Sequence, residues 1–284
     1  MKDPQDTQKE KKLLSKKDKT LLLVAGIALA IALCCQGWFY WPWFGGNVIR
    51  FNTKLDAVLR FDATTTDIPR EELFIENNTE LSRHDICRYF RDIALNTEFG
   101  ESSHAISKWE SPLLLYIGGT PGNEELATLQ EICDELNKIP GFPGVTRVDD
   151  EASANFIYTF MDADQYDKWE RSHGILGSLG LTCVTFDEPG TRILHVDIGI
   201  KNTDDRYSEG VFSKTTTIWE EFIQGTGLLN DTLLYSETLF YNGAYDVPKA
   251  TAFDWIVFRI LYLPQIQNGM TYLNCLPYIY EYLR

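Results

Sequence analysis

The chain has 284 residues, 13% of them aromatic, with 41 acidic side chains against 26 basic ones and a formal net charge of −15. The charge is split unevenly: residues 1–20 carry seven Lys and four acids, and the remainder holds 37 acids and 19 bases. So acidic a bulk excludes nucleic acid as a partner, because phosphate attraction needs clustered Lys and Arg, and the recurring helix and strand periods exclude a disordered chain.

The first expected element is a membrane anchor. No charged residue lies between Thr20 and Ile49, Leu21 to Cys35 is unbroken apolar sequence, and Trp38, Phe39, Tyr40, Trp41, Trp43 and Phe44 follow. A bilayer core takes about 20 apolar residues in a helix, and the aromatic rings suit the headgroup level behind it. Lysines 9, 11, 12, 16, 17 and 19 precede the span. Positive charge stays on the cytoplasmic side, so the C-terminal bulk faces outward. The expected organisation is a basic cytoplasmic tail (1–19), a signal-anchor helix in the lipid bilayer (20–43), a stalk (44–81) and an extracytoplasmic domain (82–284) of a single-pass cell-membrane protein. Cleavage after Ala28-Leu29-Ala30 and acylation of Cys34 or Cys35 are the alternatives. The long charged start and the aromatic belt argue against the first, and the residue before each cysteine is a poor fit to the second.

The Thr-rich stretch Asp62–Asp67, Pro69 and Asn77-Asn78 break any period and give the stalk. Ser82 then caps a helix whose Ile86, Tyr89, Phe90 and Ile93 share one face, expected to run to about Phe99-Gly100. Leu113–Ile117 is a buried strand, followed by a helix from Glu124 to Lys138 and a loop at Gly141–Gly144. Ala154–Met161 is a strand and Gln165–Ser172 a short helix. Leu181–Phe186 and Arg192–Ile200 are strands joined at Glu188-Pro-Gly190. Helices are expected at Thr215–Gly225, at Ala250–Tyr262 with its stop at Pro264, and at Tyr272–Leu283, broken or kinked at Pro277. This order gives an α+β domain, a mixed sheet with helices packed on it. Cys87, Cys133, Cys183 and Cys275 are widely spaced and show no zinc-ribbon pattern, so disulfides and free thiols both remain open.

The chemistry concentrates at Trp219-Glu-Glu-Phe-Ile-Gln-Gly-Thr-Gly-Leu-Leu-Asn-Asp231. Residues i and i+4 share a helix face, so Glu220 and Gln224 stack with Glu221 beside them, while Phe222 and Ile223 point to a core. Gly225 and Gly227 are expected to end the helix in the left-handed turn. The plain alternative is that Glu-Glu-x-x-Gln is the wet face of an amphipathic helix.

The spacing resembles the metzincin zinc-protease motif H-E-x-x-H-x-x-G-x-x-H. Glu220 stands at the first His, Glu221 at the catalytic Glu, Gln224 at the second His, Gly227 at the Gly and Asn230 at the third His. The Glu and the Gly match, and the three ligand positions do not. The resemblance also implies a Met-containing turn beneath the metal, for which Asn268-Gly269-Met270 is the candidate. The pattern E-E-x-x-Q-x-x-G-L-x-N-D is similar as well to an uncharacterised bacterial family, the domain of unknown function numbered 2927. Glu98-Phe-Gly100, Lys108-Trp109, Ala154-Asn155, Leu261-Tyr262 and Gly269-Met270 carry the same likeness, over roughly residues 85–272. It implies an envelope-associated protein and supplies no substrate.

Carboxylate and amides at the ligand positions are a weak zinc set, because such zinc is held by neutral imidazoles. The four histidines, at positions 84, 104, 173 and 195, lie outside the segment. Glu220, Glu221, Asn230 and Asp231 form an oxygen set that suits calcium better. No cofactor is therefore expected, with calcium as the alternative. The expectation is a zincin-like fold carrying a non-catalytic, pseudo-peptidase cleft for a peptide or envelope-protein partner. The alternatives are a metal-dependent hydrolase with Glu221 as general base, a calcium-binding module, and metal-free acid–base work by two carboxylates. No Gly-x-Ser-x-Gly, P-loop or dinucleotide fingerprint occurs.

Overall fold

The computed structural model describes residues 74–75, 79–80, 82–99, 103–188, 190–210, 212–242 and 247–284. The expected tail and membrane span, residues 1–43, lie outside them, as does most of the expected stalk. Among the described residues no helix is long and apolar enough to cross a membrane. The earliest described pieces are two short strands, β1 (Phe74–Ile75) and β2 (Thr79–Glu80), paired antiparallel.

Helix α1 (Arg83–Ala94) opens on a capping box in which Ser82 and Asp85 satisfy one another's backbone N–H groups. It ends five residues before the expected stop, because the side-chain amide of Asn96 donates to the carbonyls of Asp92 (3.0 Å) and Arg91 (3.4 Å). Capping the last carbonyls from the side chain frees the backbone beyond to leave the helix.

The sheet is built from β3 (Leu113–Gly119), β4 (Val145–Arg147), β5 (Phe156–Met161), β6 (Gly180–Phe186) and β7 (Ile193–Lys201), in the order β4-β3-β5-β7-β6. All neighbours are parallel except the last pair: β6 runs antiparallel to β7 and forms one edge. Sequence patterning misses β4, whose three residues are too few to show a period; Asn137 holds it, exchanging bonds with Val145 N (2.7 Å) and Val145 O (3.1 Å). Helix α2 (Asn123–Leu136) connects β3 to β4, and α3 (Ala163–Ser172) follows β5. A short turn of helix, α4 (Asp205–Ser208), follows β7.

The period-2 alternation of β5 and β7 sends Phe156, Tyr158, Phe160, Val196, Ile198 and Ile200 to one face, where all are buried. Helix α5 (Lys214–Gln224) lies on that face, with the Phe222 ring 4.9 Å from that of Phe156 and 5.9 Å from that of Tyr158. Trp169 of α3 covers the other face at Gly199, where a Cβ would come within 2.5 Å of its ring. The remaining helices, α6 (Ala252–Leu261) and α7 (Tyr272–Tyr282), pack with α1, and Trp219 of α5 meets Trp255 of α6 edge to face. Helix α7 continues through Pro277 instead of breaking there. The carbonyl that Pro277 cannot serve belongs to Leu273, which is 74% exposed and open to water. Cys87, Cys133, Cys183 and Cys275 are all free thiols, and burial pushes each above its ordinary range.

Candidate functional site

Helix α5 begins where the Ser213 side chain accepts from Thr216 N (3.3 Å) and is covered on nearly every side. The Glu-Glu-x-x-Gln face is therefore no solvated stripe: Glu221 is 8% and Gln224 5% exposed. What covers Glu221 is the edge strand. Thr182 of β6 donates its hydroxyl to Glu221 Oε2 at 2.7 Å. Gly180 leaves room for the same carboxyl, since a Cβ there would stand 2.5 Å from Glu221 Cγ.

The end of α5 is fixed by two donors and by space. The Trp109 indole N–H donates to Gly225 O (2.8 Å), and the Tyr262 hydroxyl donates to Thr226 O (2.7 Å). Gly225 keeps right-handed backbone angles, contrary to expectation, and its small size serves packing: a Cβ would sit 2.9 Å from the Phe156 ring. Gly227 alone adopts the left-handed region, at φ +120°, with Ser107 O 2.7 Å from where a Cβ would be. The chain then turns back along Glu98, whose N–H donates to Leu229 O (3.0 Å).

That turn separates Asn230 from Asp231. Asn230 donates its amide to Asp92 O (3.1 Å), closing the end of α1, and does not line the cavity. Asp231 faces inward and accepts from Gln224 Nε2 at 2.9 Å. Glu220, Glu221, Gln224 and Asp231, joined by Glu98 from the segment after α1, line a cavity of about 260 Å³. Phe99 and Phe212 also line it and are 47% and 42% exposed.

The electrostatics follow from crowding acids in a dry place. Burial pushes Glu221 up to about 8, against the Thr182 hydrogen bond that favours its ionised form, with repulsion from Glu98 and Asp231 adding to the rise. Burial pushes Asp231 up to about 6, opposed by the Gln224 bond. Glu98 rises to about 7 through burial and the Asp231 charge. Glu220 is held well above the carboxylate range by burial and then by Asp231, Glu221 and Glu98.

The structure thus brings together four of the singled-out residues, Glu220, Glu221, Gln224 and Asp231, and sends Asn230 elsewhere. Met270 is half-buried against the main core; its carbonyl accepts from Ile106 N (2.8 Å), and its side chain is not among the cavity-lining groups described. Sequence reasoning missed Thr182, Gly180 and the inward direction of Glu98, although Glu98-Phe-Gly100 carried a signal as a family motif. The zinc implied by the metzincin likeness does not fit these donors. No imidazole lines the cavity: His104 meets Asn96, His173 meets the Trp169 carbonyl, His195 meets Asp197, and His84 is exposed on α1. Among the described residues no group of three or more His, Cys, Asp or Glu side chains is placed to hold an ion. The calcium set is divided as well, since Asn230 is spent on α1.

The model of the family described as "Protein of unknown function (DUF2927)" matches residues 83–281, from the start of α1 to the last turn of α7. No curated protein and no solved structure matches the chain.

Proposed function

The chain belongs to the DUF2927 family of proteins of unknown function, and from that premise we propose that it is a non-catalytic binding module with a protease-like cleft. In this reading residues 20–43 anchor it in the cell membrane, residues 82–284 stand outside the cytoplasm, and the cleft along α5 receives a peptide or an envelope protein. The carrying observation is the fate of the second ligand position. Gln224 turns its amide into Asp231 at 2.9 Å, where a zinc protease would aim an imidazole at metal. The metzincin likeness draws support from the order strand, helix, strands, then a buried helix, from Glu221 lying along the antiparallel edge strand, and from the left-handed Gly227 after the helix.

One observation favours a second reading. Burial moves Glu221 to about 8 and Asp231 to about 6, and two carboxyls so separated can serve as proton donor and acceptor in a metal-free hydrolysis. Elemental analysis of the purified full chain, with a cleavage screen on peptide and glycan libraries, decides between the readings. The binding-module reading predicts no stoichiometric zinc and no turnover. Zinc at one equivalent with peptide cleavage abolished by Glu221→Gln would overturn it in favour of a metallopeptidase; metal-free turnover lost in the same variant would establish the second reading.

A further inference from the structure

Helix α1 has three fully exposed positions, His84, Arg88 and Arg91. Their spacing of i, i+4 and i+7 makes one stripe, and every member is basic. The two acids of the helix face elsewhere and are in use. Asp85 serves the Ser82 cap and accepts from the Tyr235 hydroxyl at 2.7 Å, and Asp92 accepts from the Thr232 hydroxyl. Among the described residues neither Arg88 nor Arg91 forms an ion pair. Such a stripe stands against the trend of a bulk that holds 37 acids and 19 bases.

Helix α7 lies antiparallel beside it. At one end Arg83 Nε donates to Leu283 O (2.8 Å), and at the other the Arg91 guanidinium stands 5.8 Å from the centre of the Tyr272 ring. Between them Cys87 meets Tyr272 and Tyr280. Counting about 100° per residue onward from Tyr280, the next side chains around α7 are Leu273 and Pro277, and only then Glu281 and Asn274. Leu273 is 74% exposed, and Pro277 is exposed beside it. The two helices therefore make one outer surface, an uncharged apolar strip edged by the basic stripe of α1.

That combination matches the interface of a phospholipid bilayer. Apolar side chains reach the acyl boundary there, tyrosine rings sit at headgroup level, and a guanidinium fork fits phosphate oxygens. The tether permits the contact: in the anchor reading residues 44–73 lie between the span and Phe74 and can reach at most about 100 Å. With that reach the choice of face falls to chemistry, and the stalk leads through β1 and β2 into α1 itself. The acidity of the remaining surface favours the same pose. Charges more than about 10 Å from the headgroups are screened, whereas an acidic face brought against anionic lipid is repelled.

We infer that the α1/α7 face is a membrane-docking surface, seated on the phosphate-bearing headgroups of the bilayer that holds the chain. The inference rests on the anchor reading above and adds which side of the domain the membrane covers.

The test uses the full chain reconstituted in vesicles of phosphatidylcholine with and without phosphatidylglycerol. Photoreactive benzoylphenylalanine is placed at Leu273 or, as a control, at the equally exposed Leu176 in the loop after α3, and lipid adducts are measured by mass spectrometry after illumination. In phosphatidylglycerol vesicles the Leu273 site is expected to give at least about fivefold more adduct than the Leu176 site. Arg88→Gln/Arg91→Gln should lower the Leu273 yield at least about threefold with an unchanged circular dichroism spectrum, and added salt should lower it in the parent chain more than in the variant. Equal yields at the two sites, or a Leu273 yield indifferent to the arginines, overturn the inference. Adducts to a second copy in place of lipid overturn it in favour of self-association. Alkaline carbonate extraction of the same vesicles reads the anchor separately. A chain that washes off overturns the anchor reading and the inference with it; an integral chain without lipid adducts at Leu273 overturns the inference alone.

Discussion

A carboxyl group buried beside other carboxyls stays protonated to higher pH than it would in water, and the same displacement makes stability depend on pH. For Glu221 at about 8, Glu98 at about 7 and Asp231 at about 6, the folded state binds more protons than the unfolded state between roughly pH 4 and 8. Stability therefore falls as pH rises through that window, the reverse of the usual carboxylate paired with a cation. The melting temperature is expected to drop between pH 5 and pH 8, and the double variant Glu220→Gln/Glu221→Gln should flatten the drop. A wild-type melting temperature that rose across this range would show that the acids are solvated or paired. Much of this cluster is legible in the sequence, because Glu220, Glu221 and Gln224 lie within one helical turn. Asn230 and Asp231 are not, since the left-handed Gly227 redirects the chain and helical spacing ceases to predict which of two neighbours faces inward.

Elements end where side chains satisfy their last polar groups, and pattern reading finds a stop only when the capping residue announces itself. The box at Ser82 and Asp85 is such a case. Asn96 is not, which is why α1 is expected to be five residues longer than it is. At the end of α5 the controlling residues are remote in sequence: Trp109 and Tyr262 supply the donors, and Ser107 fills the space against Gly227. This gives the family motifs Lys108-Trp109 and Leu261-Tyr262 a physical role that spacing alone does not reveal. Gly227→Ala forces an L side chain into a left-handed conformation and places its Cβ against the Ser107 carbonyl. It is expected to cost at least about 1–3 kcal/mol from backbone strain, read as a lowered urea midpoint. An unchanged midpoint would mean that the turn relaxes freely and that the motif register has no structural cause.

At the scale of the whole molecule, one dipeptide joins the sheet to the C-terminal helices. Lys108 exchanges backbone bonds with the Asn268 side chain (2.7 and 3.1 Å), and its buried ammonium donates to Leu261 O at 2.9 Å beside the Tyr262 ring. Trp109, next in sequence, holds α5. A cation at the end of α6 complements that helix's partial negative charge, while burial, the larger effect, draws Lys108 down to about 8. Its folded pKa lies below the unfolded value, so between about pH 8 and 10 the folded state binds fewer protons and Lys108 makes stability rise with pH. The carboxylates act in the opposite sense at lower pH, and a stability minimum is expected where the two windows meet, near pH 8. Lys108→Met keeps the stem and removes the donor, leaving the Leu261 carbonyl unserved, at an expected cost of about 1–3 kcal/mol. The alkaline rise should vanish with it. Because the lost contact lies between sheet and helices, tryptophan fluorescence and far-ultraviolet circular dichroism should report one coincident unfolding transition in the wild type and separated transitions in the variant. Transitions that stayed coincident in the variant would show that the Lys108 contacts are not what couples the C-terminal helices to the sheet.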